Sequence, residues 1–225
     1  MNRIRSITVS VDYADCLAVT LPYNQYQFEE RWIVTTPEDY KTIRIAEEFD
    51  CKLYTTNSFY DDGADFNKFK ALEEGLEVMG REGWICIMDA DILWPILHPP
   101  IELVIGCLYG TNRHMYPHIK SIPEHMWSHF PLHGYKDFSG FTQLFHADDM
   151  KLKETPWHEL DWKHAGGGDT HFADRWPKTQ RVKLPFNVLH LGEADSNWCG
   201  RGKKEEMKKY GPIKGNWRER KVHRI

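Results

Sequence analysis

The stretch Trp84-Ile85-Cys86-Ile87-Met88-Asp89-Ala90-Asp91-Ile92-Leu93-Trp94-Pro95 decides how the chain is read. Five apolar residues of strand length end in two carboxylates. Side chains two apart on a strand point to one side, so Asp89 and Asp91 are placed to share a divalent cation, directly or through its water or phosphate ligands. Mg²⁺ and Mn²⁺ favour oxygen donors of this kind, and one or two carboxylates plus substrate phosphates commonly hold them. The tripeptide alone also fits a solvated Asp-x-Asp turn, and the surrounding chain has to decide.

Upstream, Ile7 to Val11 reads as a strand ending at Asp12-Tyr13, and Leu17 to Glu30 as a mainly helical connection interrupted by Pro22. Trp32 to Thr35 reads as a second strand, with Thr36 as N-cap, Pro37 at the first helical position, and Tyr40, Ile43, Ala46 and Phe49 on the apolar face of the helix. Lys52 to Thr55 supplies a third strand. Strand and helix alternating in this way make a parallel α/β sheet, whose ligands bind at the carboxyl ends of the strands. Residues 65–79 form an amphipathic helix with Phe66, Phe69, Leu72, Leu76 and Met79 inward. Asn67, Lys68 and Lys70 fall near its start, where phosphates are favoured, though surface lysines fit the same positions.

Downstream, Ile101 to Tyr109 reads as another strand, followed by an aperiodic excursion from Thr111 to Tyr135 rich in His, Pro and aromatics. Phe141 to His146 and Asn187 to Leu191 read as strands, with Gly166-Gly167-Gly168-Asp169-Thr170-His171 between them. His125, His129 and His133 recur every four residues, but Pro131 interrupts them and no Cys/His constellation indicates zinc. Trp127, Phe138, Phe141, Trp157, Trp162 and Trp176 offer either stacking surfaces for sugars and extruded bases or ordinary core.

At 225 residues, 41% hydrophobic and 28% charged, the chain suits one sizeable domain with or without an appendage. Five scattered cysteines without a Cys-x-x-Cys pair indicate neither a disulfide framework nor a zinc finger. The basic start Met1-Asn2-Arg3-Ile4-Arg5 leads into no long apolar run, so the expectation is a soluble, cytoplasmic protein without integral membrane association. Residues 201–225 hold ten Lys or Arg against three Asp or Glu on a chain of net charge −4. Such a tail suits an anionic partner, whether nucleic acid, membrane surface or phosphorylated ligand, or simple solubilisation.

The order of these motifs resembles the GT-A fold glycosyltransferases, particularly compact nucleotide-sugar enzymes related to family 2. The resemblance runs through the Asp12-Tyr13 strand end, the helix from Asn67 to Leu76, the Asp89-Ala90-Asp91 strand, the stretch from Asp137 to Ala147, Gly166 to Trp176, and Asn187 to Arg201. It implies an α/β GT-A (Rossmann-like) fold, a mixed, mainly parallel sheet flanked by helices. It further implies one catalytic domain over 1–200, with a donor-binding half 1–100 and an acceptor half 101–200, and then a basic C-terminal tail over 201–225.

Carried over motif by motif, Asp91 is the direct metal ligand for Mn²⁺ or Mg²⁺, Asp89 meets the metal or the donor ribose, and His190 completes the metal site. A hydrogen-bonded core histidine is the other reading of His190. Asp12, Tyr13, Thr35 and Asp62 resemble the positions that hold the nucleoside, with Lys68 and Lys70 near the diphosphate. Asp169 resembles the general base of an inverting hexosyltransferase, with His171 as second candidate and capping of a helix over Thr170 to Trp176 as the bland alternative. Gly168 stands where relatives carry a Glu, and Glu73-Glu74 where they often carry Asn.

Soluble GT-A enzymes of bacteriophage type that glycosylate hydroxymethylated pyrimidines in DNA are similar in kind. That likeness implies a UDP-sugar donor, DNA as acceptor, work in the host cytoplasm, and phosphate contacts from Lys203, Lys204, Lys208, Lys209, Arg218 and Arg220. The alternatives are a transferase acting on a bacterial surface glycan or lipid-linked saccharide, and a non-catalytic nucleic-acid-binding module. A nucleotidyltransferase would need a Gly-rich basic loop after the first strand, where this chain has Asp12-Tyr13-Ala14-Asp15.

Overall fold

The computed structural model describes residues 3–96, 98–134, 138 and 140–192. In chain order the regular elements are β1 (Ile4–Val9), α1 (Ala14–Asn24), β2 (Glu30–Thr35), α2 (Tyr40–Glu48), β3 (Lys52–Thr55), α3 (Lys68–Met79), β4 (Trp84–Met88) and β5 (Ile92–Leu93). They continue with β6 (Leu108–Tyr116), β7 (Leu132–His133), β8 (Thr142–His146), α4 (Gly168–Ala173) and β9 (Arg181–Leu191). One nine-stranded sheet runs β3-β2-β1-β4-β8-β6-β9-β5, with β7 paired to β6. Its first half is all parallel. β8 then joins β4 antiparallel, and β9 runs parallel to β6.

β4 sits near the middle, and all five of its residues are buried. Ile85 and Ile87 pack with Phe69, Leu72, Leu76 and Phe145, whereas Trp84, Cys86 and Met88 enter a second core with Trp94, Leu144 and Val188. Both faces are therefore covered, and a continuous apolar run is what such a strand requires. Full burial of each large aliphatic side chain contributes about 1.5–3 kcal/mol.

Several expected elements shift. The strand expected over Ile101 to Tyr109 lies further on, as β6, and runs into the stretch read as aperiodic. Its middle, Thr111-Asn112-Arg113-His114, is polar, with Asn112 paired to Lys183 and His114 to the Phe130 carbonyl, which hid the strand's alternation. α2 begins at Tyr40, not after Thr36, because the buried Asp39 side chain accepts from the Thr42 N–H at 3.1 Å and caps it. Tyr40, expected inward, is 76% exposed. The six aromatics weighed as stacking surfaces are all buried, so they are core.

Glu73 on α3 is a buried carboxylate. Its carboxylate accepts from the Trp157 N–H (3.0 Å), the His158 N–H (2.9 Å), His158 Nδ1 (2.6 Å) and Arg81 Nη2 (2.8 Å). Burial alone would raise the Glu73 pKa, but the His158 and Arg81 contacts and the Trp157 N–H hold it below the ordinary carboxylate value. Burial lowers His158, against the pull of Glu73. The pair is thus a carboxylate with a neutral imidazole, stacked between Phe69 and Phe172. Both folded pKa values lie below their unfolded counterparts, so this stabilisation is complete above about pH 6.5 and declines as pH falls, His158 first and Glu73 below about pH 4.3. Glu73→Ala is expected to cost about 3–5 kcal/mol in urea unfolding at pH 7.5 and to flatten the acid limb of the Tm–pH curve. A loss under 1 kcal/mol contradicts this account.

Candidate active site

The turn after β4 is held from three sides. The Asp89 N–H donates to the Phe141 carbonyl (3.2 Å), and the Asp91 carbonyl accepts from the Leu191 N–H (2.8 Å). From α1, Thr20 Oγ1 donates to the Ala90 carbonyl at 2.9 Å. Asn24 Nδ2 donates to the Ile92 carbonyl at 2.8 Å, and its Oδ1 accepts from the Trp94 N–H at 2.9 Å. Read from sequence, α1 was only a connection. In the fold its buried polar residues lock the acidic turn in place.

The two carboxylates take different partners. β5 pairs with β9 so that His190 lies opposite Ile92, which brings His190 Nε2 to 3.3 Å from Asp91 Oδ2, both side chains 7% exposed. Asp89 instead meets Lys68, the first residue of α3, with Nζ 2.5 Å from Oδ1. Burial raises Asp89 above its ordinary value against the pull of Lys68, and the charge of Asp91 adds to the rise. Burial also opposes ionisation of Asp91, but His190 and Arg113 hold it below the ordinary carboxylate value. Arg113 enters from β6, stacked 4.7 Å over the Phe141 ring, and pulls on both acids. It was missed in the sequence because its strand was.

Among the described residues no three His, Cys, Asp or Glu side chains lie together closely enough to enclose a metal ion. Asp91 and His190 nonetheless fit one as a two-ligand site. They are a buried carboxylate and imidazole whose Oδ2 and Nε2 already face each other, as two ligands of one ion do. A site of this kind draws its remaining ligands from phosphates and water.

Asp169 lies in the first turn of α4, after Gly167 in the left-handed region (φ 95°). It does not cap the helix. Its Oδ2 accepts from the Gly140 N–H at 2.6 Å, and Gln143 Nε2 donates to its carbonyl at 3.0 Å. Two glycines allow this approach: a Cβ at Gly168 would fall 2.4 Å from the Phe69 ring, and one at Gly140 2.6 Å from Asp169 Cβ. The Asp169 charge reaches Lys68, and with Asp89 and Asp91 it raises that lysine's pKa although burial alone would lower it. His171, from the same helix, turns to Glu159, Nε2 to Oε1 3.3 Å, and is not brought into this group.

At the ends of β1 and β2, Asp39 joins two of the four residues expected to hold a nucleoside, Asp12 and Thr35. Its Oδ2 accepts from the Asp12 N–H (2.7 Å) and from Thr35 Oγ1 (3.3 Å). Asp12 is exposed, with φ 61°. Thr35 is fully buried, and Tyr13 packs with Leu17, Leu21 and Ile33. Tyr60 stands at the same corner, its phenol pushed up by partial burial and by Asp12 and Asp39. Asp39 and Tyr60 were not singled out; Asp39 looked like one more acid in a first helical turn. Lys70 diverges from Lys68 to meet Asp61 at 2.8 Å and Asp62 at 3.7 Å, where the Asp62 side chain is 84% exposed. Lys203, Lys204, Lys208, Lys209, Arg218 and Arg220 lie outside the described residues.

Solved structures resemble the chain in fold. Glucosyl-3-phosphoglycerate synthase from Mycobacterium tuberculosis superposes with TM-score 0.52 at 11% identity, over 86% of this chain and 73% of that one. The fold is of the GT-A type. The same protein in complex with Mn²⁺, UDP and glucosyl-3-phosphoglycerate gives TM-score 0.49 at 9% identity, over 85% and 73% of the two chains. Mannosyl-3-phosphoglycerate synthase from Rubrobacter xylanophilus gives 0.40 at 16% identity, over 51% of this chain and 41% of that one. A 4-diphosphocytidyl-2C-methyl-D-erythritol synthase gives 0.43 at 12% identity, over 86% and 90%. Neither a protein-family model nor a curated protein sequence matches the chain. Among the described residues no helix is long and apolar enough to cross a membrane.

Because Asn24 satisfies two backbone groups of the segment that follows the acidic turn, Ile92 and Trp94, Asn24→Ala is expected to destabilise the protein by about 1–3 kcal/mol per orphaned group. Urea unfolding checks the size, and an unchanged midpoint contradicts the anchoring role.

Proposed function

We propose that this chain is a divalent-cation-dependent glycosyltransferase that moves a sugar from a nucleoside diphosphate donor, UDP-linked, to a hydroxyl acceptor. The observation that carries the reading is the buried Asp91–His190 pair at the carboxyl end of β4, with Lys68 and Asp169 converging beside it in a GT-A-type sheet. Ligands of α/β sheets bind outside those strand ends.

In this reading Asp12 and Tyr60 flank the nucleoside at the corner braced by Asp39, while Lys68 serves the diphosphate. Asp91 and His190 would hold Mn²⁺ or Mg²⁺, which supplies positive charge to the departing diphosphate. Asp169 takes the proton of the acceptor hydroxyl while that oxygen bonds the anomeric carbon and the nucleoside diphosphate leaves, with inversion. Its bond to the Gly140 N–H fixes one carboxylate oxygen and aims the group. The distance between charge balance at Asp91 and the base at Asp169 is bridged by Lys68, which feels both.

The acceptor we propose is a hydroxymethylated pyrimidine in DNA. Its support is the basic composition of residues 201–225, where ten Lys or Arg face three acids. Such a segment binds phosphates without reading sequence, and the target base would have to leave the stack.

Release of UDP from a panel of UDP-sugars, with and without Mn²⁺ and with hydroxymethylated DNA, tests both parts, with mass spectrometry of the digested nucleosides identifying the product. Asp91→Asn is expected to lower turnover about 10²–10³-fold, the scale of removing one electrostatic group from a transition state. Absence of release with every donor overturns the transferase. Release that glycan but not DNA stimulates overturns the acceptor.

A further inference from the structure

Lys68 is placed where a cation would be. Its ammonium lies 2.5 Å from Asp89 Oδ1, on a side chain only 13% exposed. Asp169 and Asp91 add their charge to the same ammonium, so two carboxylates of the turn after β4 and one from α4 act on one lysine that is in contact with Asp89. Carboxylates gathered in a partly buried site need a positive charge among them, and here a residue of the chain provides it. A divalent ion approaching Asp91 and His190 meets the neighbouring acid already paired, and meets a like charge beside it.

We propose that Lys68 is a built-in counter-ion of the acidic turn, paired with Asp89, whose charge competes with a divalent cation at the neighbouring Asp91. Its position favours such an exchange. Lys68 opens α3, and Asn67 fixes that helix start by accepting from the Lys70 N–H at 3.0 Å, so the backbone stays while the four-carbon stem swings. Resting on the transferase reading above, the anion that draws Lys68 away from Asp89 is the donor diphosphate. Cation and diphosphate then bind better together than apart, because each removes an obstacle to the other. A lysine that only bound phosphate would leave cation affinity unchanged when no nucleotide is present. One that only supported the fold would, on removal, weaken cation and nucleotide alike.

The test is Mn²⁺ binding to the full chain, read from the electron paramagnetic resonance of free Mn²⁺, with and without UDP. Lys68→Met, and Lys68→Gln as a second neutral variant, are expected to bind Mn²⁺ alone about tenfold tighter than the unaltered protein, within the ordinary range of coupling between sites. Lys68→Arg, which keeps the charge, is expected to match the unaltered protein, and Asp91→Asn in the Lys68→Met background to abolish the gain. Equal Mn²⁺ affinity with and without the lysine overturns the proposal, as does a gain that survives Asp91→Asn. No Mn²⁺ binding by any variant overturns it too. A tenfold gain on which UDP has no influence keeps the counter-ion and contradicts the nucleotide donor, so the two readings fail separately.

Discussion

Negative charge gathered at the end of a buried strand has to be balanced, and the structure around β4 is arranged by that requirement. Asp91 is paired with His190 and drawn on by Arg113, and Asp89 is paired with Lys68. Those three partners come from β9, β6 and α3, elements distant in sequence that the sheet order brings to one place. The cost of misplacing any of them is an uncompensated charge, which is far larger than a lost packing contact. That is why polar residues of α1 are spent on the backbone of the turn and not on solvent.

A second buried ion, Glu73, does a different task in the same way. It ties α3 to the chain at Trp157 and His158, and the His158 ring in turn stacks on Phe172 of α4. Lys68 and Asp169 are thus carried by two helices joined through one carboxylate. Glu73, at a position where the glycosyltransferases the sequence resembles often carry Asn, serves this brace. Gly168 belongs to the same arrangement, since it lets α4 lie directly on Phe69.

What the sequence made legible follows from local physics. β4 announced itself as an unbroken apolar run, β3 was found residue for residue, and the inward face of α3 had the right period. The resemblance to the GT-A fold rested on the order of such elements, and the observed sheet is of that type. Register was not legible: nothing local says that Ile92 pairs with His190. Nor was β6, whose polar centre breaks the alternation that marks a strand, so Arg113 stayed hidden. Asp39 was masked by Thr36-Pro37, a better-looking helix start, and only the fold shows that it joins Asp12, Thr35 and α2. Lys68 and Lys70 read alike in sequence but turn to different acids, because side-chain direction at a helix start is set by what lies across the cleft.

The central claim is that one divalent ion sits between Asp91, His190 and the phosphates of a nucleotide. Pulsed electron paramagnetic resonance of Mn²⁺ bound in the presence of UDP tests it most directly. The account predicts both a ¹⁴N coupling that disappears in His190→Gln and a ³¹P coupling from the nucleotide. Bound Mn²⁺ that shows neither coupling, or a ¹⁴N coupling that persists in His190→Gln, would contradict it.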